Sequence, residues 1–364
     1  MVAAVQDPYI GRLIADEFRI VERIGSGGMG AVYKAEQPEM NRFVAIKVLH
    51  RKYTDRTDLV SRFKREARAM SHLSHPNTAR VFTYGQLDDG AWYIVMEHLE
   101  GKNLAQMVKL HGPFEPSRAI AIIVQVCGAL EEAHRGGIVH RDIKPENIFL
   151  TRQGGIEDFP KVLDFGLAKV SERQMRPGSM VLTQEGMVFG TVEFMSPEQA
   201  RGETLDGRAD VYSLAVVLYE VLTGKLPFDA KEPLEFVNLH IKATPIPLAD
   251  RARDREFPAG LQSVMNKAMA KKPDDRFQSA EAFGRSLRDC LTGQVSGSIL
   301  RVAPPSFIPD RPTPAENARA KRGPALRDDD LPLPVSNKHW VVLGMGVVFF
   351  VAGAVLLALR FIMK

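Results

Sequence analysis

The segment Gly25-Ser26-Gly27-Gly28-Met29-Gly30-Ala31-Val32 restricts the fold more than any other stretch of this chain, because of what surrounds it. Glycines spaced G-x-G-x-x-G let backbone amides approach phosphate oxygens and adopt positive φ, which serves both dinucleotide and nucleoside triphosphate sites. A dinucleotide site needs a helix directly after the third glycine. Here Ala31-Val32-Tyr33 and then Phe43-Val44-Ala45-Ile46-Lys47-Val48-Leu49 follow, while Phe18, Ile20 and Ile24 precede the cluster at a period near two. The pattern predicts strand, glycine turn, strand: a hairpin tip folded over a nucleotide, with an ordinary glycine-rich turn as the alternative.

Helical spacing appears next at Phe63, Ala67, Met70 and Leu73, followed by a strand pair at Val81 to Tyr84 and Trp92 to Met96. Beyond that point the pattern is helical. Pro116 opens a helix with Ile120, Ile123, Val124, Cys127 and Leu130 on one stripe, and Asp210 to Leu222 forms another that ends at Gly224. A sheet-rich first part and a helix-rich second part predict an α+β fold of two lobes. The 45% hydrophobic and 25% charged content exclude collagen, whole-chain disorder and a multi-span membrane protein.

The net charge of +4 lies entirely beyond residue 292, since acidic and basic residues balance before it, so nucleic acid is not expected as a partner. Residues 292–338, rich in Pro, Ser, Arg and Asp, read as a basic linker. Within residues 339–360, Trp340 to Leu359 is a run of 20 residues without a charge. As a helix it spans about 30 Å, the thickness of a bilayer's hydrocarbon core. Lys338, His339 and Trp340 on one side and Arg360 and Lys364 on the other are suited to the two interfaces. The expectation is a single membrane-spanning helix with residues 361–364 beyond it. Gly344, Gly346 and Gly353 suit self-association as a homodimer. Cys127 and Cys290 match no metal spacing and read as free core thiols, and no leader peptide is expected at the N-terminus.

Lys47 sits on an apolar strand, where an unpaired ammonium is costly, and Glu66 on the following helix could pair with it. Then come His140-Arg141-Asp142-Ile143-Lys144-Pro145-Glu146-Asn147, Asp164-Phe165-Gly166 and Ser196-Pro197-Glu198. With the glycine cluster and Val44-Ala45-Ile46-Lys47, these motifs stand in an order and spacing that resemble the eukaryotic-like (Hanks-type) serine/threonine protein kinases, in the style of the bacterial membrane-anchored members. The resemblance covers residues 18–291, with an N-lobe at 18–98, a C-lobe at 99–291 and residues 1–17 as an extension. It implies a bilobal protein-kinase fold with ATP in the cleft between the lobes.

Phosphoryl transfer is catalysed mostly by positioning and charge neutralisation, and the resemblance assigns residues accordingly. It implies that Lys47, held by Glu66, contacts the α- and β-phosphates, that Asp164 and Asn147 hold Mg²⁺ or Mn²⁺, that Asp142 accepts or orients the substrate hydroxyl proton, and that Lys144 neutralises the γ-phosphate. Gly25, Ser26, Gly27, Gly28, Met29 and Gly30 would cover the phosphates. Ile24, Val32 and Ala45 would wall the adenine, with Met96 as gatekeeper and the backbone of Glu97 and Leu99 binding its edge. Lys144 and Thr191 point to serine or threonine as acceptor in protein substrates. By the same resemblance His140, Phe165 and Met70 belong to the packed spine, Asp210 anchors the loop of His140, and Glu198 pairs with Arg276.

The resemblance further implies that Arg141, before Asp142, receives a phosphate from the segment from Asp164 to Glu198, with Thr183 first and Ser179 second as autophosphorylation sites. Ser196, Phe194 and Thr78 depart from the usual residues of the family, and none of them is placed against phosphate or metal. The expectation is therefore an ATP-dependent serine/threonine protein kinase, single-pass in the inner membrane with its catalytic domain in the cytoplasm. The alternative is a nucleotide-binding pseudokinase or scaffold, and the joint presence of Lys47, Asp142, Asn147 and Asp164 argues against it.

Overall fold

The computed structural model describes residues 7–27, 30–50, 53, 60, 61, 64, 67, 68, 70–165 and 192–292. The chain divides into a unit of residues 1–299 and a unit of residues 300–364; the second, with the expected membrane span, lies outside the described residues. Among the described residues no helix is long and apolar enough to cross a membrane.

The first lobe is a six-stranded antiparallel sheet of β1 (Leu13–Ile14), β2 (Phe18–Gly27), β3 (Gly30–Gln37), β4 (Arg42–Leu49), β5 (Val81–Gln86) and β6 (Trp92–Glu97), in the order β1-β2-β3-β4-β6-β5. Residues 60, 61, 64, 67, 68 and 70 are helical, and Ala67 and Met70 are buried. Alternation explains the strands: Phe18 and Ile20 on β2 are buried, whereas Arg19 between them and Val21 after them are exposed. The central strand β4 buries Val44, Ala45 and Ile46 in succession, because it is covered on both faces. Residues before Phe18 also belong to this sheet: β1 pairs with β2, and the Tyr33 hydroxyl donates to Asp7 at 3.1 Å.

The second lobe carries a small sheet of β7 (Gly101–Asn103), β8 (Ile148–Gln153) and β9 (Ile156–Val162). Its helices are α1 (Leu104–His111), α2 (Pro116–Arg135), α3 (Pro197–Arg201), α4 (Gly207–Thr223), α5 (Pro233–Lys242), α6 (Leu248–Arg251), α7 (Leu261–Ala268) and α8 (Ala280–Thr292). Pro116 opens α2 as expected, since its missing N–H is an orphan at that position anyway. The buried surface of α2 is wider than one stripe and includes Ala119, Ile122 and Val126, because α2 packs against α4, α8 and β9 at once. Helix α4 begins at Gly207 rather than Asp210, since Asp206 caps it by accepting from Arg208 N. Nearly every residue from Ala209 to Leu222 is buried, so α4 is the central post of this lobe. Cys127 and Cys290 are free and buried. Burial pushes the Cys127 thiol up to about 12, which makes it chemically inert at neutral pH.

Candidate active site

Two loops and two strands converge where the sheet-rich lobe meets the helical one. The loop of residues 140–147 hangs from α4 through Asp210. One oxygen of that buried carboxylate accepts from the backbone N–H of His140 at 2.8 Å and from His134 Nε2 at 2.7 Å; the other accepts from the N–H of Arg141 at 2.9 Å. Three donors on one carboxylate bring Arg141 to φ +67°, a conformation that residues with a Cβ seldom adopt. His140 is fully buried, and burial holds its ring well below the usual histidine range, so it is neutral. Its Nε2 lies 2.8 Å from the carbonyl of Leu163, which can only accept, so Nε2 carries the proton and Nδ1 accepts from the N–H of Asp142 at 3.3 Å.

The chemistry-bearing side chains follow on this loop. Asn147 Nδ2 donates to the carbonyl of Asp142 at 2.7 Å and faces its carboxylate at 3.3 Å. Lys144 Nζ lies 3.1 Å from Asp142 Oδ2. Beside this loop, Asp164 sits at φ +49° after β9, and its Oδ2 reaches across to Lys47 Nζ on β4 at 2.8 Å. Lys47, Asp142, Lys144, Asn147 and Asp164 are thus brought into one site from three separate stretches of chain. Phe165 packs its ring 4.7 Å from that of His140, and Met70 is buried in the same core.

The glycine segment lies on the β2–β3 hairpin, whose Val32 is the register partner of Lys47. Gly25 pairs with Val32 and Gly27 with Gly30 across the β2–β3 hairpin. Among the described residues a Cβ built on Gly27 meets nothing within 4 Å, whereas one on Gly30 would lie 2.1 Å from the carbonyl oxygen of Val48. Gly30 is therefore required by the close approach of β3 to β4. Ala45 and Met96 are direct neighbours in the β4–β6 register and both are buried; Val32 and Leu99 are half-buried and Ile24 is 48% exposed. Glu97 ends β6, and Leu99 lies in the connection to β7. Gly28, Met29, Glu66, Ser179, Thr183 and Thr191 lie outside the described residues.

Below the site, Glu198 and Arg276 form a bidentate pair with both contacts at 2.7 Å. The departure at Ser196 has a use: its hydroxyl caps α3 by accepting from Gln199 N.

A matching protein kinase domain covers residues 18–286. The chain belongs to the protein kinase domain family. The chain is 41% identical over 282 residues to the serine/threonine-protein kinase pkn3 of Myxococcus xanthus, a match covering 78% of this chain and 51% of that one. It is 38% identical over 343 residues to Pkn1 of the same organism, covering 91% of this chain and 47% of the relative. Similarity to PknB of Mycobacterium tuberculosis is 40% over 270 residues, 73% of this chain and 42% of that protein. The chain thus spans about half the length or less of these relatives. In structure it is similar to the crystallised kinase domain of M. tuberculosis PknI, with a TM-score of 0.59 and 28% identity over 78% of this chain and 98% of that one.

Three residues of the kinase-domain site carry polar contacts that motif reading passes over. Lys161 on β9 pairs with Glu97, Gln199 reaches the loop of residues 140–147, and His134 shares Asp210 with that loop. Lys161 carries the same signal as Lys47, a lysine in an apolar strand, and Gln199 stands at capping-box spacing from Ser196. His134 has no such signal in the sequence.

Proposed function

We propose that this chain is an ATP-dependent serine/threonine protein kinase. The observation that carries the reading is the convergence of Asp142, Lys144, Asn147, Asp164 and Lys47 at one cleft, with Lys47 and Asp164 paired at 2.8 Å. Asp142 holds the acceptor hydroxyl and takes its proton at a carboxylate oxygen. Lys144, 3.1 Å from that carboxylate, stands where it also offsets charge on the transferred phosphoryl group. Lys47, paired here with Asp164, grips the α- and β-phosphates, and Glu66 is read as the residue that holds it there in the nucleotide-bound enzyme. The G-x-G-x-x-G hairpin covers the phosphates, Ile24, Val32, Ala45 and Met96 enclose the adenine, and the backbone of Glu97 and Leu99 binds its edge.

Mg²⁺ or Mn²⁺ fits the donor set. The amide nitrogen of Asn147 is committed to the Asp142 carbonyl, which leaves its oxygen for a cation, and the Asp164 carboxylate supplies a second hard oxygen donor. A bound divalent cation neutralises charge between the phosphates.

The names of pkn3, Pkn1 and PknB support serine or threonine as acceptor. Phosphoamino-acid analysis of a generic protein substrate after incubation with the full chain and Mg-ATP tests this: phosphoserine and phosphothreonine are expected, and phosphotyrosine as the main product contradicts it.

Residues 339–360 anchor the enzyme in the inner membrane as a single helix, with the catalytic domain in the cytoplasm. The uncharged run from Trp340 to Leu359, bracketed by Lys338 and Arg360, supports this. Truncation after residue 337 is expected to move the protein from the membrane to the soluble fraction. Within the segment from Asp164 to Glu198, autophosphorylation at Thr183, or next at Ser179, supplies the phosphate for Arg141. Phosphosite mapping of fully active enzyme that finds the segment unmodified contradicts this.

A further inference from the structure

Helix α3 opens with Ser196-Pro197-Glu198-Gln199, a capping box in which Ser196 Oγ accepts from Gln199 N at 3.3 Å and Gln199 Oε1 accepts from Ser196 N at 2.9 Å. That exchange asks only for an acceptor oxygen at the third position, so glutamate serves as well as glutamine. Gln199 uses the other end of its amide elsewhere. Its Nε2 donates to the carbonyl of Arg141 at 2.7 Å, and the side chain is buried.

The carbonyl of Arg141 and the N–H of Asp142 belong to one peptide plane. Gln199 holds the carbonyl at 2.7 Å, and His140 Nδ1 holds the N–H at 3.3 Å. On the preceding side the N–H of Arg141 is fixed by Asp210 at 2.9 Å, so the residue is clamped at φ +67° from both ends. A positive φ at a residue with a Cβ persists only where its surroundings impose it. Rotation of this plane would swing the backbone that carries Asp142, and a displacement of about 1 Å at a reacting group lowers a rate by about a hundredfold.

We infer that Gln199 is a positioning residue for Asp142: it fixes the peptide plane leading into the catalytic carboxylate and makes that plane depend on the placement of residues 196–199. The inference rests on the reading of Asp142 as the group that takes the substrate proton. The choice of glutamine over glutamate at the capping position is thereby explained, because the amide, unlike an ionised carboxylate, both accepts from Ser196 and donates to Arg141.

Glutamate at this position separates the two roles. In Gln199→Glu the capping acceptor is kept, while an ionised carboxylate sets a second acceptor against the Arg141 carbonyl; once protonated, the carboxyl can donate to it again. Phosphate transfer by the full chain to a generic protein substrate is measured for wild type, Gln199→Glu and Gln199→Met at pH 6 and pH 8. Loss of a buried donor predicts a kcat about tenfold below wild type for Gln199→Glu at pH 8, returning to within about threefold at pH 6, and an equal loss at both pH values for Gln199→Met. KM for ATP is expected to stay within about twofold, since adenine and phosphates are held elsewhere. A Gln199→Met variant with wild-type kcat at both pH values, or a Gln199→Glu to wild-type ratio that rises with pH, overturns the inference. Absence of transfer by the wild type itself overturns the kinase reading instead.

Discussion

The ammonium of Lys161 on β9 lies 3.0 Å from the carboxylate of Glu97 at the end of β6, so a strand of the small sheet is pinned to the last residue of the large one. The same Glu97 oxygen accepts from the N–H of Arg80 at 3.2 Å. The partners are unequally buried, with 7% of the Lys161 side chain exposed against 29% for Glu97. That asymmetry orders two substitutions. Glu97→Ala strands a buried ammonium and is expected to destabilise by about 3 to 5 kcal/mol, whereas Lys161→Met leaves a partly solvated carboxylate and is expected to cost about 1 to 2 kcal/mol. Urea denaturation of the two variants checks the order, and equal losses contradict it. Because the backbone of Glu97 is read as binding adenine, Lys161→Met should also raise KM for ATP more than it lowers kcat.

The guanidinium of Arg276 is saturated. Its Nε donates to the carbonyl of Ala270, Nη1 to Glu198 and to the carbonyl of Arg208, and Nη2 to Glu198 and to the carbonyl of Lys271. Lysine cannot reproduce a planar five-donor fork, so Arg276→Lys is expected to destabilise by about 3 kcal/mol or more despite keeping the charge. The pair Arg276→Met with Glu198→Leu should lose less than the sum of its single substitutions, since neither charge is then left alone. A double-mutant cycle on unfolding free energies measures this, and strict additivity contradicts it.

Glu220 on α4 has a buried Oε2 that, among the described residues, makes no hydrogen bond. Burial first, and then the nearby Glu146 and Glu193, push its carboxyl up to about 7. A folded-state value above the unfolded one means the group's contribution to stability is full below about 4.5 and is lost as pH rises through about 7. A shift of this size corresponds to about 3 kcal/mol at most. Glu220→Gln cannot ionise, so its stability relative to wild type should rise between pH 5 and pH 8.5, read by chemical denaturation at both. A difference that does not change with pH contradicts the assignment.

The strands, the long helices and the order of the site motifs were legible in the sequence because each rests on local rules: period two at Phe18 and Ile20, a proline at the start of α2, glycine at the end of α4. The convergence of Lys47 with Asp164 was not readable from spacing, since it depends on how two lobes close around a cleft and came only through the family resemblance. Lys161 and Gln199 escaped for a related reason. Each has an ordinary local role, on a strand or at a helix cap, and its second contact lies 64 or 58 positions away. The wide burial of α2 likewise reflects three packing partners that its own heptad pattern does not reveal.

The most direct test of catalytic function sets transfer against binding in one pair of proteins. Single-turnover transfer of labelled γ-phosphate from Mg-ATP to a generic protein substrate is followed for the full chain and for Asp142→Asn, alongside calorimetric affinity for Mg-ATP. If Asp142 takes the acceptor proton, affinity stays within about threefold while transfer falls by about 10² to 10⁴. Equal transfer by Asp142→Asn, or a wild type that binds nucleotide and transfers nothing, would contradict the assignment of this chain as an active kinase.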